Sequence, residues 1–275
     1  MDNNVDVPRE IFAAIHSADP SRPFVIAQLG QSLDGRIATQ SGESRDISGP
    51  AALDHLHALR AHVDAVIVGV GTVIADDPKL NVRRVAGRSP ARVIIDPNGR
   101  MPGAARVFCK DDVNVLVIRA VPMAAPDSPL PCGEGQGLGV DASLQSVAHP
   151  HPCPSAQGGG GARDCISIVL PAGADGRIPP QAIIAALFAR GMKKLLVEGG
   201  ANTISTFIDA DCVDRLHLLV APMIIGSGKP GLSLDPVTRL SDALCPQISV
   251  YPLPGGDVLF DCDLRARRAP PRRRR

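Results

Sequence analysis

Two short stretches of this 275-residue chain place glycines beside residues that can hold or move charge. In residues 195–205, LLVEGGANTIS, an apolar run ends in Glu198, two glycines follow, and a helical pattern begins at once. A helix start offers unpaired N–H groups and the positive end of its dipole, which suits a phosphate or pyrophosphate. Asn202, Thr203 and Ser205 add side-chain donors. A tight strand-to-helix turn with no ligand fits the spacing equally well, but a carboxylate at the carboxyl end of a parallel strand lies where open α/β sheets bind ligands.

Residues 67–83, IVGVGTVIADDPKLNVR, have the same outline. A buried run leads to Gly69-x-Gly71, and a short helix is expected from Thr72. Without a third glycine the pattern does not support a standard Rossmann site. Asp76 and Asp77 precede Pro78, where acids commonly form turns, and nothing in the spacing gives them an acid–base role. Arg60, Arg83 and a hydroxyl such as Ser44 would together suit a phosphate monoester. Taken singly each arginine is an ordinary surface charge, and spacing alone does not bring them together.

These residues need a scaffold, and the hydrophobic pattern supplies one. Strands are predicted at 24–29, 65–68, 92–95, 113–118, 167–170, 194–197 and 216–220, and two more around the Pro-Gly-Gly-Asp turn at 254–257. Helices are predicted at 179–190, at 201–210 and after Ser48-Gly49-Pro50, with Ser48 as cap and Ala52, Leu56, Leu59 and Val63 on one face. Strands alternating with helices imply an α/β sheet covered on both faces, with the terminal pair as an antiparallel edge.

Composition narrows the function classes. Aromatic residues make up 3% of the chain and Trp is absent, which disfavours binding of single-stranded nucleic acid by base stacking. Seven arginines crowd the last eleven residues; the rest carries 22 basic and 28 acidic side chains, so a basic tail (265–275) follows an acidic body. The tail reads as a solvated end, with no nucleic-acid partner expected. The seven cysteines never form Cys-x-x-Cys, which predicts reduced thiols. The polar start MDNNVDVPRE is unlike a signal peptide, and no apolar run nears the roughly 20 residues of a membrane span. A cytoplasmic protein without a membrane partner is expected.

Residues 120–164 are rich in Pro, Gly and Ser and read as a surface insertion. His149-Pro-His151-Pro-Cys153 falls within it, but alternating prolines and the lack of a fourth ligand argue against a metal site.

Three blocks, SLDGRIATQSGESRDISGP (32–50), VGTVIADDPKLNVR (70–83) and LVEGGANTISTFIDADCVDRL with APMIIG (196–226), resemble the reductase domain of the bifunctional deaminase–reductase of riboflavin biosynthesis. The resemblance implies a three-layer, dihydrofolate-reductase-like α/β fold over 23–264, preceded by an extension at 1–22. It implies NADPH-dependent reduction of the ribosylamino group of a pyrimidine 5′-phosphate to a ribitylamino chain, commonly by a homodimer. By the same resemblance Gly30, Asp46, Thr72, Asp76 and Gly200, Ala201, Asn202, Thr203, Ile204, Ser205 and Thr206 match cofactor positions. Ser44, Arg60, Leu80, Arg83 and Glu198 match substrate positions. Asp76 and Glu198 stand nearest the proton transfer, and Asp77 matches no contact. The zinc-dependent deaminase half has no counterpart in the sequence, and Asp46 stands where bacterial members often carry an aromatic residue. A reductase of another pterin or heterocycle and a non-enzymatic nucleotide-binding protein are the competing readings.

Overall fold

The computed structural model describes residues 9–109, 111–121 and 165–265. The 122–164 segment with its His-Pro-His-Pro-Cys run and the tail beyond Arg265 lie outside them.

Nine strands form one sheet. In chain order its members are β1 (Phe24–Ser32), β3 (Ala65–Gly69), β4 (Ala91–Ile95), β5 (Val115–Val121), β6 (Ile166–Pro171), β7 (Lys194–Val197), β8 (Arg215–Ala221), β10 (Gln247–Pro252) and β11 (Val258–Asp263). A separate two-stranded ribbon pairs β2 (Arg36–Ala38) with β9 (Lys229–Pro230), neither of which the sequence pattern had indicated. They are too short to show an alternation.

Across the large sheet the order is β10-β11-β8-β1-β7-β3-β4-β5-β6. The seven strands from β8 to β6 run parallel, and β11 and β10 turn back as the antiparallel edge. Such a sheet buries both faces, which explains why the central strands read as unbroken apolar runs. Residues 65–68 of β3 are wholly buried.

Alternate side chains feed two cores. On one face Val25, Ala27, Ile67, Val93 and Leu116 pack under helices α4 (Pro180–Phe188) and α5 (Ala201–Asp209), through Ile183, Leu187, Ile204 and Phe207. On the other Phe24, Ile26, Val66, Val68 and Ile94 meet helices α1 (Ala13–His16), α2 (Pro50–Ala61) and α3 (Val70–Asp76), through Ile15, Leu59, Val70 and Val73. Helix α1 and the preceding turn belong to the sequence read as an extension, yet Ile11, Phe12 and Ile15 are buried. Each such side chain contributes about 1.5–3 kcal/mol on burial.

Two local expectations are corrected. The residue capping α2 is Gly49, not Ser48, with Pro50 at the first helical position. The Gly49 N–H donates to Asp257 Oδ2 at 3.0 Å, and a Cβ at residue 49 would come within 2.5 Å of that oxygen, so the position needs glycine. The expectation of reduced thiols also fails at Cys165, which is disulfide-bonded; pairing depends on spatial approach that linear spacing does not show. Cys109, Cys212, Cys245 and Cys262 are free. Among the described residues no helix is long and apolar enough to cross a membrane.

Candidate active site

Strands β3 and β7 are neighbours, so the two glycine turns that follow them lie side by side at the carboxyl edge of the sheet. The Glu198 N–H donates to Ile67 O at 2.9 Å, carrying the pairing to the end of β3. Beyond it the turns press against each other crosswise. A Cβ on Gly69 would lie 2.6 Å from Thr203 Oγ1, and one on Gly200 would lie 3.2 Å from Thr72 Oγ1. Gly199 adopts φ +91°, a conformation open to glycine and costly for other residues.

Helix α5 starts at Gly200 without a side-chain cap. The N–H groups of Thr203 and Ile204 return to Gly200 O, while those of Ala201 and Asn202 meet no acceptor among the described residues. Two open N–H groups, a helix dipole and glycine walls fit the phosphates of a dinucleotide. Helix α3 begins at Val70, two residues before the expected Thr72, and the Thr72 side chain faces the α5 turn.

Next to this cradle Arg60 and Glu198 meet. Arg60 Nε donates to Glu198 Oε2 at 2.7 Å, and Nη2 donates to Oε1 to complete a two-point fork. Arg60 Nη1 donates to the carbonyl of Asn81 at 3.1 Å, and Asn81 Oδ1 accepts from Arg83 Nη1 at 2.8 Å. One residue therefore ties both arginines. The Arg83 N–H donates to Nδ1 of buried His57 at 3.2 Å. Burial first, then the charges of Arg60, Arg83 and Arg84, push the His57 pKa down to about 3, which keeps the ring a neutral acceptor. Burial and the neighbouring cations Arg60, Arg106 and Arg84 likewise lower the Arg83 pKa, with Glu198 opposing. Cations that close together, facing one carboxylate, make a region suited to an anion.

The other expected residues divide. Gly30 lies against Ser48, whose Oγ would be 2.7 Å from a Cβ there. Ser44 is half-buried and Asp46 exposed with φ 65°; neither side chain makes a hydrogen bond among the described residues. Asp76 is exposed in the last turn of α3. Ile204 is fully buried in the core, the hydroxyl of Ser205 accepts from Ser233 N, and Thr206 Oγ1 donates to Asn202 O. Leu80 is buried in the core that holds Val70 and Val73, with φ 53°. Asp77, read as a turn residue only, ends α3 in the left-handed conformation and accepts the Arg106 N–H at 2.7 Å.

The sequence reading passed over His57, Asn81 and Arg106. His57 and Asn81 act through contacts 26 and 21 residues away in the chain, and no local pattern announces them. A separate cavity of about 590 Å³ opens at the opposite edge of the sheet, between the starts of β1 and β8 and helix α4, and contains none of these residues. Among the described residues no cluster of His, Cys, Asp and Glu could hold a metal ion.

Known proteins resemble this chain in sequence and fold. The RibD C-terminal domain matches residues 23–249. A Methanothermobacter thermautotrophicus protein named 2,5-diamino-6-ribosylamino-4(3H)-pyrimidinone 5′-phosphate reductase is 31% identical over 229 residues, covering 81% of this chain and 89% of its own. The Acinetobacter baumannii RibD structure superposes with a TM-score of 0.64 at 26% identity, over 93% of this chain and 61% of that one. The Saccharomyces cerevisiae riboflavin biosynthesis reductase Rib7 has the same fold, with a TM-score of 0.64 at 22% identity over 94% of this chain and 99% of its own. The layered α/β sheet with its antiparallel edge is thus the architecture of these reductases. A match over most of the chain, together with a relative of nearly the same length, places this protein in the RibD C-terminal domain family of riboflavin-pathway reductases.

Proposed function

We propose that this protein is an NADPH-dependent reductase that converts the ribosylamino group of a pyrimidine ribosyl 5′-phosphate to a ribitylamino group. The observation that carries this reading is the Arg60–Glu198 fork lying beside the paired glycine turns, which gives two binding regions at one edge of the sheet. One is built from open N–H groups and the other from guanidiniums around a carboxylate.

When bound, the nicotinamide would supply hydride to C1′ of the open-chain imine form of the substrate. The protein's part is placement. Gly69, Thr72, Gly200 and Thr203 bound the dinucleotide cradle, and the N–H groups of Ala201 and Asn202 face its phosphate charge. Each Glu198 oxygen takes one bond from Arg60 and retains capacity to accept N–H groups of a diaminopyrimidine. Glu198 is thus an acceptor for the heterocycle. Exposed Asp76, at the end of α3, would order the water that returns a proton to the nitrogen. Use of NADPH, with no described helix able to cross a membrane, supports a cytoplasmic location. The exposed β10 edge, with Ile248 and Val250, supports a homodimer.

The test is loss of nicotinamide absorbance with the ribosylaminopyrimidine 5′-phosphate in its diamino and its deaminated forms. Turnover on the diamino form places reduction before deamination, and turnover on the deaminated form places it after. NADPH binding without turnover on either would sink the substrate assignment and leave a reductase of another heterocycle.

A further inference from the structure

Strand β1 outruns one of its neighbours at the carboxyl edge. Its pairing with β7 ends where Ala27 faces Val197, whereas its pairing with β8 continues until Ser32 faces Ala221. Residues 28–32, about 16 Å at the usual strand rise, therefore form a two-stranded wall with β8 beside the Glu198 turn. Gly30 lies on this wall.

Two loops leave its end, and Asp34 joins them. Asp34 Oδ1 accepts from Ser32 Oγ at 2.5 Å and from the Ile225 N–H at 3.1 Å, while Oδ2 accepts from the Gly226 N–H at 2.7 Å. The Leu33 N–H donates to Met223 O at 2.7 Å, and Arg36 Nε donates to Gly226 O at 3.0 Å. The Ser32 hydroxyl first, then the Ile225 and Gly226 N–H groups, hold the Asp34 pKa down to about 2, so the carboxylate is ionised near neutral pH.

This polar stitching secures side chains that are not themselves packed. Leu33, Met223 and Ile224 are 64%, 41% and 74% exposed. Single exposed apolar residues are ordinary, but these three stand together on two joined loops. They continue the wall that carries Gly30, so they are contiguous with the ligand-binding edge and fit a ring bound there.

We propose that Leu33, Met223 and Ile224 form an apolar rim that shields the nicotinamide and the reacting C1′ from water, and that Asp34 is the positioning residue that fixes this rim. The assignment rests on the reductase reading above. The imine carbon is open to water as well as to hydride. Water would add its oxygen to C1′ and one proton to the nitrogen; the C1′–N bond would then break as the second proton passes to the departing pyrimidine amine. Ribose 5-phosphate is released as the aldehyde, and no NADPH is consumed.

The test is the share of substrate released as ribose 5-phosphate against NADPH oxidised, with the rate in the absence of protein subtracted. In the unaltered chain NADPH oxidation should account for nearly all substrate consumed. Asp34→Ala, Leu33→Ser and Ile224→Ser should each raise the released share severalfold, and Asp34→Asn, which keeps one acceptor oxygen, should lie between. Asp175→Ala, in an exposed turn remote from the site, should leave it unchanged. Should Asp34→Ala fail to fold, the Leu33→Ser and Ile224→Ser variants decide, because they remove no hydrogen bond. Slower turnover with an unchanged released share makes the loops merely structural and overturns the proposal. A changed oligomeric state with an unchanged share assigns the rim to a second copy and also overturns it. If the unaltered chain oxidises no NADPH with either pyrimidine, the reductase reading itself falls and the rim assignment with it.

Discussion

Arg60 and Glu198, 138 residues apart in the chain, meet in a two-point fork at the carboxyl edge of the sheet. Both side chains are almost excluded from water, at 6% and 10% exposure. Removing one partner would leave the other charge buried and unpaired, which costs about 3–5 kcal/mol. Arg60→Leu should therefore lower unfolding stability by about that amount, whereas Arg60→Leu combined with Glu198→Leu should recover most of it. Activity should be lost in both. Urea unfolding checks the first statement and turnover the second; a double variant no more stable than the single one would refute the pairing argument.

The crosswise contact of the glycine turns makes a second prediction. Gly69→Ala would set a Cβ 2.6 Å from Thr203 Oγ1, so the turns must part. NADPH affinity should fall. Adding Thr203→Ala removes the oxygen and should restore part of the affinity, giving a non-additive cycle of about 0.5–3 kcal/mol. Strictly additive losses would show that the two turns do not act on each other.

Acid sensitivity follows from a buried histidine. His55 Nε2 lies 3.0 Å from His217 Nδ1, and burial, with the His217 charge adding, holds the His55 pKa down at about 3. In the unfolded chain it returns to the ordinary value of 6.5. Between these values the unfolded state binds the extra proton, so stability is complete above pH 6.5 and declines as pH falls toward 3. The slope from this one group approaches about 1.4 kcal/mol per pH unit. Unfolding curves from pH 7.5 to 4.5 should show the decline starting above the carboxylate range. His55→Leu should make it shallower, with His57, likewise lowered to about 3, keeping the remainder.

Helix α2 depends on a residue 208 positions away. Asp257 accepts the Gly49 N–H at the start of the helix, and its other oxygen is buried without a partner among the described residues. Asp257→Ala should cost about 0.5–2 kcal/mol, the usual range for a lost cap. Because α2 carries Arg60 and His57, substrate KM should rise with it, while Asp257→Asn should keep more of both stability and KM.

The sheet was largely legible in the sequence because burial on both faces leaves uninterrupted aliphatic runs. Residues 194–197 were read with the bounds that the structure shows, and the other strands shifted by a few residues at their ends. The short β2–β9 ribbon was missed, having too few residues to carry a period. Glycine turns and candidate arginines were visible as types, and the resemblance assigned them roles. What could not be read was their partnering. Arg60 was read beside Arg83 as a partner of the phosphate, with no sign of the fork it makes to Glu198, and Ile204 and Leu80 matched ligand positions although their side chains face the core. His57 and Asn81 gave no local signal because their partners are distant in the chain.

The strand order also has a consequence for the growing chain. Strand β1 is the first sheet strand to be synthesised, yet both its neighbours, β7 and β8, begin at residues 194 and 215. Its backbone must wait for more than half of the chain before it gains a partner, a high-contact-order arrangement of the kind that folds slowly. The ligand-binding edge forms at that same late step, because β7 brings Glu198 and the glycines of α5 as it slides between β1 and β3. A nascent chain that ends after β6 can pair β3, β4, β5 and β6 while β1 waits unpaired, and it lacks the turn after β7, so the two glycine turns meet only when the central gap closes.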